Sequence, residues 1–138
     1  MEFEVFKKYK GDKEPASGDF IRSAINALSD VCRFEADRWY YDLETGQPKK
    51  LNVGERFALM HSELSEAFEG WRKNKQDDHL PHRKSLEVEL ADAMIRILDF
   101  AGENDLNLGG AFVEKLVYNR EREDHTSAAR QRSDGKKC

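Results

Sequence analysis

The chain is short of the features that mark several large functional classes. Its two cysteines, Cys32 and Cys138, lie far apart, so there is neither a disulfide framework nor a CxxC metal motif. No apolar run approaches the length of a membrane span, and the opening Met1-Glu2-Phe3-Glu4-Val5-Phe6-Lys7-Lys8 is not a signal peptide. The expectation is a cytoplasmic protein with no membrane partner. Positive charge is not in excess: 23 Lys and Arg against 27 Asp and Glu leave a net charge of -4. That argues against a nucleic-acid binder, whose affinity rests on many cationic contacts to phosphate. Anionic ligands stay possible if a metal stands between. Apolar material is scarce too. With 38% hydrophobic and 36% charged residues in 138, one domain by length has little with which to enclose a charged cleft. Homo-oligomerisation, as a dimer or a tetramer, is the expected remedy.

What the chain does contain is a phrase said twice, Glu63-Leu64-Ser65-Glu66-Ala67-Phe68 and Glu89-Leu90-Ala91-Asp92-Ala93-Met94. If both segments are helices, residues at i and i+3 share a face, and each copy offers a carboxylate pair. Leu64, with Met60, Phe68 and Trp71, and Leu90, with Leu86, Met94, Ile97 and Ala101, read as the centres of apolar stripes. Packing stripe on stripe would then bring four carboxylates to the rim of a helical core. Two unit charges about 4 Å apart repel by roughly 4 kcal/mol at an effective dielectric of about 20, so such a cluster asks for a cation. Carboxylate-only clusters suit Mg²⁺ or Mn²⁺. The plain alternative is a set of solvated acids on charged helices, or a non-enzymatic helical interaction protein whose acidic faces bind a partner.

The rest of the chain supplies helices and possible contacts. Residues 1 to about 18 are polar, broken by Gly11, Pro15 and Gly18, and read as an irregular arm. A first helix over about 19 to 41 ends in Trp39-Tyr40-Tyr41. Asn52 and Glu55 form a capping-box pattern opening a second helix over about 53 to 73. The polar linker 74–82 contains Asp and His residues that read as a solvated loop or, alternatively, as metal ligands. A third helix spans about 82 to 102 and stops at Gly102. Asn107 caps a fourth over about 108 to 122. Its Gly109-Gly110 lacks the pattern of a phosphate loop. Lys115, Asn119 and Arg122 fall on one face of that helix, either as a clamp for phosphate oxygens or as an ion-paired surface row. The tail from 124 to 138 is basic and expected to be mobile.

Taken together, these phrases resemble the MazG-like all-α nucleoside triphosphate pyrophosphohydrolases, in particular the short single-domain members of the kind carried by phages and bacteria. The resemblance rests on Leu59-Met60-His61-Ser62-Glu63-Leu64-Ser65-Glu66-Ala67, on Glu89 through Asp99, and on Lys115-x-x-Tyr118-Asn119-x-x-Arg122. It covers about residues 30 to 125. Glu123 stands where the family has a proline, and the family's glycine- and lysine-rich end survives only as Gly135-Lys136-Lys137. The resemblance implies an all-α bundle of four to five helices over 19–123, completed by oligomerisation. It implies hydrolysis of a (d)NTP to (d)NMP and pyrophosphate with Mg²⁺ or Mn²⁺, held by Glu63, Glu66, Glu89 and Asp92 as metal and catalytic residues. Lys115, Asn119 and Arg122 would hold phosphates, while His61, Trp39, Tyr40 and Trp71 are candidates for contacts to the base.

Overall fold

The computed structural model describes residues 16–122. The expected basic tail and all but the last three residues of the expected N-terminal arm lie outside them. The described chain is all-α, with helices α1 (Gly18–Glu35), α2 (Asp37–Tyr40), α3 (Val53–Lys73), α4 (Ser85–Glu103) and α5 (Leu108–Glu121). Among the described residues no strand forms, although isolated bridges join Tyr41 to Pro48 and Gln76 to Lys84.

Helix boundaries follow the local chemistry. The Asn52 side chain accepts a hydrogen bond from the Glu55 amide at 3.1 Å and starts α3 where its capping pattern predicts. Asn74, in the left-handed region at φ 47, ends it. Three expectations are corrected. The single helix expected over 19–41 is two, interrupted at Ala36; Tyr41 then turns extended, and Tyr40 points inward, 1% exposed. The helix expected from residue 82 starts only at Ser85, because the backbone of Asp77 pairs with Arg83 and that of Lys75 with Ser85. Gly102 lies inside α4 and does not end it. A Cβ there would meet the Arg33 Cβ at 2.7 Å and the Ser29 carbonyl oxygen at 2.8 Å, so glycine permits the close approach of α1.

The chain forms two compact units, where its length predicts a single domain. One comprises, among the described residues, 16–26 and 107–122, and the other comprises 27–106. In the first, Asn26 donates to the Asn107 side chain at 3.0 Å and accepts from the Gly109 amide at 2.9 Å. Asn107 in turn caps α5 by accepting from Gly110. A side chain at Gly109 would run into the Arg22 carbonyl, so this glycine serves helix contact.

The second unit is built on the hairpin of α3 and α4. Its inner face overturns the expected packing of leucine stripes. Leu64 is 50% exposed and Trp71 63%, and Phe68, Leu90, Met94 and Ile97 are exposed with them. What faces inward on α3 is Glu63, Ala67 and Gly70; on α4 it is Ser85, Ala93, Leu98, Asp99 and Ala101. Small side chains let two helix backbones approach closely, so the row that packs best is the small one, and Glu63 goes in with it.

Gly70 sets that approach: an added Cβ would lie 2.7 Å from Ser85 Oγ and 2.9 Å from Ser85 Cβ. Gly70→Ala gains up to about 1 kcal/mol of helix propensity but overpacks a contact, which costs about 1–3 kcal/mol. We expect a lower urea midpoint for this variant with an unchanged m-value. A raised midpoint would show that the hairpin crossing is loose.

Candidate functional site

The hairpin brings three of the four expected acids together. Glu63 on α3 and Glu89 and Asp92 on α4 each offer a carboxylate oxygen, and the three oxygens lie within 4.8 Å of one another. Glu63 is 7% exposed. Glu66, one turn further along α3, is exposed and stands outside this close group, although its charge acts on Glu89. The carboxyl groups of Glu89 and Asp92 are both pushed up. Burial is the largest cause for each; Glu66, Glu63 and Asp92 then add their repulsion at Glu89, and Glu63 does so at Asp92.

One cation already answers part of this charge. The Arg96 guanidinium donates from Nε to Glu63 Oε1 at 2.5 Å and pulls the Asp92 carboxyl back down. Arg96 follows Asp92 by four residues and Glu89 by seven, so helical spacing places all three on one face of α4. That spacing is the signal by which it was detectable. The linker between α3 and α4 also approaches: Asp77 acts on Asp92 unfavourably and His79 favourably. Asp77 is buried and accepts hydrogen bonds at Oδ1 from the His79 and Leu80 amides, at 3.0 and 2.6 Å. It holds the loop, and among the described residues the close group consists of Glu63, Glu89 and Asp92.

The donor set fits a hard divalent ion. All three ligands are carboxylate oxygens, the preferred ligands of Mg²⁺ and Mn²⁺. In an octahedral shell with bonds of about 2.1 Å, neighbouring oxygens lie about 3.0 Å apart and opposite ones about 4.2 Å, so the three oxygens would draw together around a Mg²⁺ ion.

Beside Asp92 opens a cavity of about 260 Å³, whose lining includes Trp39 and Arg38 of α2 and Ile95, Arg96 and Asp99 of α4. Asp99 is buried and receives the Tyr40 hydroxyl at Oδ1, 2.5 Å away. Burial, then this hydrogen bond, keeps the Tyr40 phenol well above its ordinary pKa, so it remains a donor. The ring is held between two guanidinium groups, Arg33 at 5.0 Å and Arg56 at 4.6 Å from its centroid. Arg33 also pairs with Asp37 and Glu103.

The other expected residues are dispersed. Trp39 lines the cavity, whereas Trp71 stacks on Phe68 with ring centroids 6.0 Å apart and His61 is exposed on α3; neither lines it. Lys115 and Asn119 lie on α5 and Arg122 at its C-cap, in the unit formed by 16–26 and 107–122. Lys115 and Arg122 both approach the Tyr118 ring, at 4.4 and 5.8 Å, which agrees with the shared face expected of them.

The four acids are not equivalent under neutralisation. Glu63→Gln removes the partner of Arg96, whereas Glu89→Gln removes chiefly repulsion from Glu66, Glu63 and Asp92, against a weaker attraction to Lys75. Glu89 has a folded-state pKa above its ordinary 4.5, so the native state is penalised above the raised value and not below 4.5. Without metal at pH 7, we expect Glu89→Gln to melt a few degrees higher than wild type. The gap should close as pH falls through the raised value toward 4.5. Equal melting temperatures at pH 7 would mean that Glu89 carries no repulsive strain.

Compared with known proteins, the chain matches no family model, no curated protein and no solved structure.

Proposed function

We propose that the chain is a metal-dependent nucleotide pyrophosphohydrolase that converts a (d)NTP to the (d)NMP and pyrophosphate. The observation that carries this reading is the Glu63–Glu89–Asp92 group, three carboxylate oxygens within 4.8 Å of one another, of which Asp92 also lines a cavity. A group built this way stores repulsion that a divalent ion relieves, and a solvated acidic face has no reason to bury one of its members. The MazG-like resemblance of the sequence points the same way.

Glu63, Glu89 and Asp92 would hold Mg²⁺ or Mn²⁺, which supplies charge neutralisation for a triphosphate and polarisation of a water molecule. Arg96 keeps Glu63 oriented toward α4 through its 2.5 Å ion pair. Glu66, exposed on α3 and outside the close group, would take the proton from attacking water at a carboxylate oxygen. No Ser, Cys or His nucleophile is required, since phosphoryl transfer depends mainly on positioning and charge stabilisation. Phosphate binding by Lys115, Asn119 and Arg122 rests on the resemblance alone. The exposed apolar faces of α3 and α4, Leu64, Phe68 and Trp71 on one and Leu90, Met94 and Ile97 on the other, support a homo-oligomer in which a second copy covers them.

The test is pyrophosphate release from a panel of (d)NTPs with Mg²⁺, with Mn²⁺ and with chelator. Release should require the ion, and Asp92→Asn should lower kcat/KM roughly a hundred- to a thousandfold, the range seen when one electrostatic stabiliser of a transition state is lost. Orthophosphate as the sole inorganic product would refute the assignment. A chain that neither binds the ion nor cleaves nucleotides would be a helical interaction protein. Light scattering should give a particle larger than the 16.0 kDa chain, and a monomer at micromolar concentration would leave the apolar faces unexplained.

A further inference from the structure

The cavity beside the acids has two walls of different chemistry. Trp39 presents a flat aromatic face and is 57% exposed, with the Arg38 guanidinium 5.7 Å from its ring centroid. To the same lining α4 contributes Ile95 and the buried Asp99. A flat apolar face backed by a cation suits an aromatic ring, because every heteroaromatic base has a π-face that stacks without regard to its edge. A volume of about 260 Å³ lies just below the roughly 300–1,000 Å³ of small-ligand pockets and suits a single ring system rather than a whole nucleotide.

Asp99 gives this cavity a polarity. Its Oδ1 is taken by the Tyr40 hydroxyl, and Tyr40 is buried at 1% exposure with Arg33 and Arg56 packed over its ring. Among the described residues no buried side-chain oxygen lacks a partner, so Oδ2, which accepts no such bond, is reached from the cavity that Asp99 lines. Burial pushes the Asp99 carboxyl up, while the Tyr40 hydrogen bond and the Arg56, Arg96 and Arg33 charges pull it back; in its ionised form it accepts hydrogen bonds and donates none. An exocyclic amino group, as on cytosine, adenine or guanine, supplies the donor it needs. Uracil and thymine instead present an N–H between two carbonyl oxygens, which would face the carboxylate with like partial charge.

Resting on the nucleotide reading above, we infer that this cavity takes the base of the substrate, that Trp39 stacks on it, and that Asp99 is a specificity-determining residue selecting bases with an exocyclic amino group. Asp92 both lines the cavity and belongs to the acidic group, so the phosphates and the base of one ligand would occupy adjoining positions.

The experiment measures kcat/KM for dCTP, dATP, dGTP, dUTP and dTTP, with Mn²⁺, for wild type, Asp99→Asn and Trp39→Ala. Asparagine keeps an oxygen for the Tyr40 hydroxyl and offers an amide donor in place of Oδ2, so the variant retains the buried bond while inverting the polarity of the cavity. Wild type should prefer dCTP to dUTP, and Asp99→Asn should shift that ratio toward dUTP by on the order of a hundredfold. Trp39→Ala alters an exposed side chain, so it should fold; KM should rise for every nucleotide while Mn²⁺ affinity by calorimetry stays the same. Turnover with an unchanged dCTP to dUTP ratio in Asp99→Asn, or with unchanged KM in Trp39→Ala, overturns the inference and leaves the hydrolase reading standing. Failure of wild type to cleave any nucleotide removes both.

Discussion

The close contact of α3 with α4 is the constraint on which the second unit depends. Gly70 against Ser85, and Ala67 and Ala93 buried in the same hairpin, allow the two backbones to approach. The consequence is electrostatic. Residues on the approaching faces share a low-dielectric strip, and Glu63 is buried in it. The repulsion among Glu63, Glu89 and Asp92 is therefore a product of the same packing that stabilises the hairpin, and Arg96 offsets the part that reaches Glu63 and Asp92. Small-residue packing and a strained acidic group are two aspects of one interface.

The second buried polar feature, Tyr40 with Asp99, does different work. It closes the unit at the other end of the α4 face, joining α2 to α4 through one hydrogen bond and to α1 and α3 through Arg33 and Arg56. Arg56 also donates to the Trp39 carbonyl at 3.2 Å, so the aromatic wall of the cavity is tied to α3. A group this buried is stable only if its partners are fixed, and here they are drawn from four helices.

The acids, the α3 cap and the shared face of Lys115 and Arg122 were legible in the sequence because each is a local pattern with a known period. The inner face of the hairpin was not. Leu64 and Leu90 carry the strong apolar signal, but Ala67, Gly70 and Ala93 carry almost none, and it is close approach, not side-chain hydrophobicity, that decides which row turns inward here. Gly102 looked like a helix end for a related reason: glycine serves both for left-handed caps and for tight helix crossings, and one sequence does not separate the two. Tyr40 and Asp99 are 59 residues apart, and no periodicity links them. The break at Ala36, which lets Tyr40 turn inward, has no proline or glycine to announce it.

The contact of Gly70 with Ser85 also sets an angular origin for the acids. Counting back from Gly70, Glu63 lies seven residues away, and counting forward from Ser85, Asp92 lies seven residues away. Seven residues are close to two full helical turns, so both acids return to the side on which the helices touch. One residue added or removed within either stretch would rotate its acid by about 100° around the helix, out of the shared strip. The linker between Asn74 and Lys84 carries no such angular information. The two seven-residue intervals thus act as a fixed gauge.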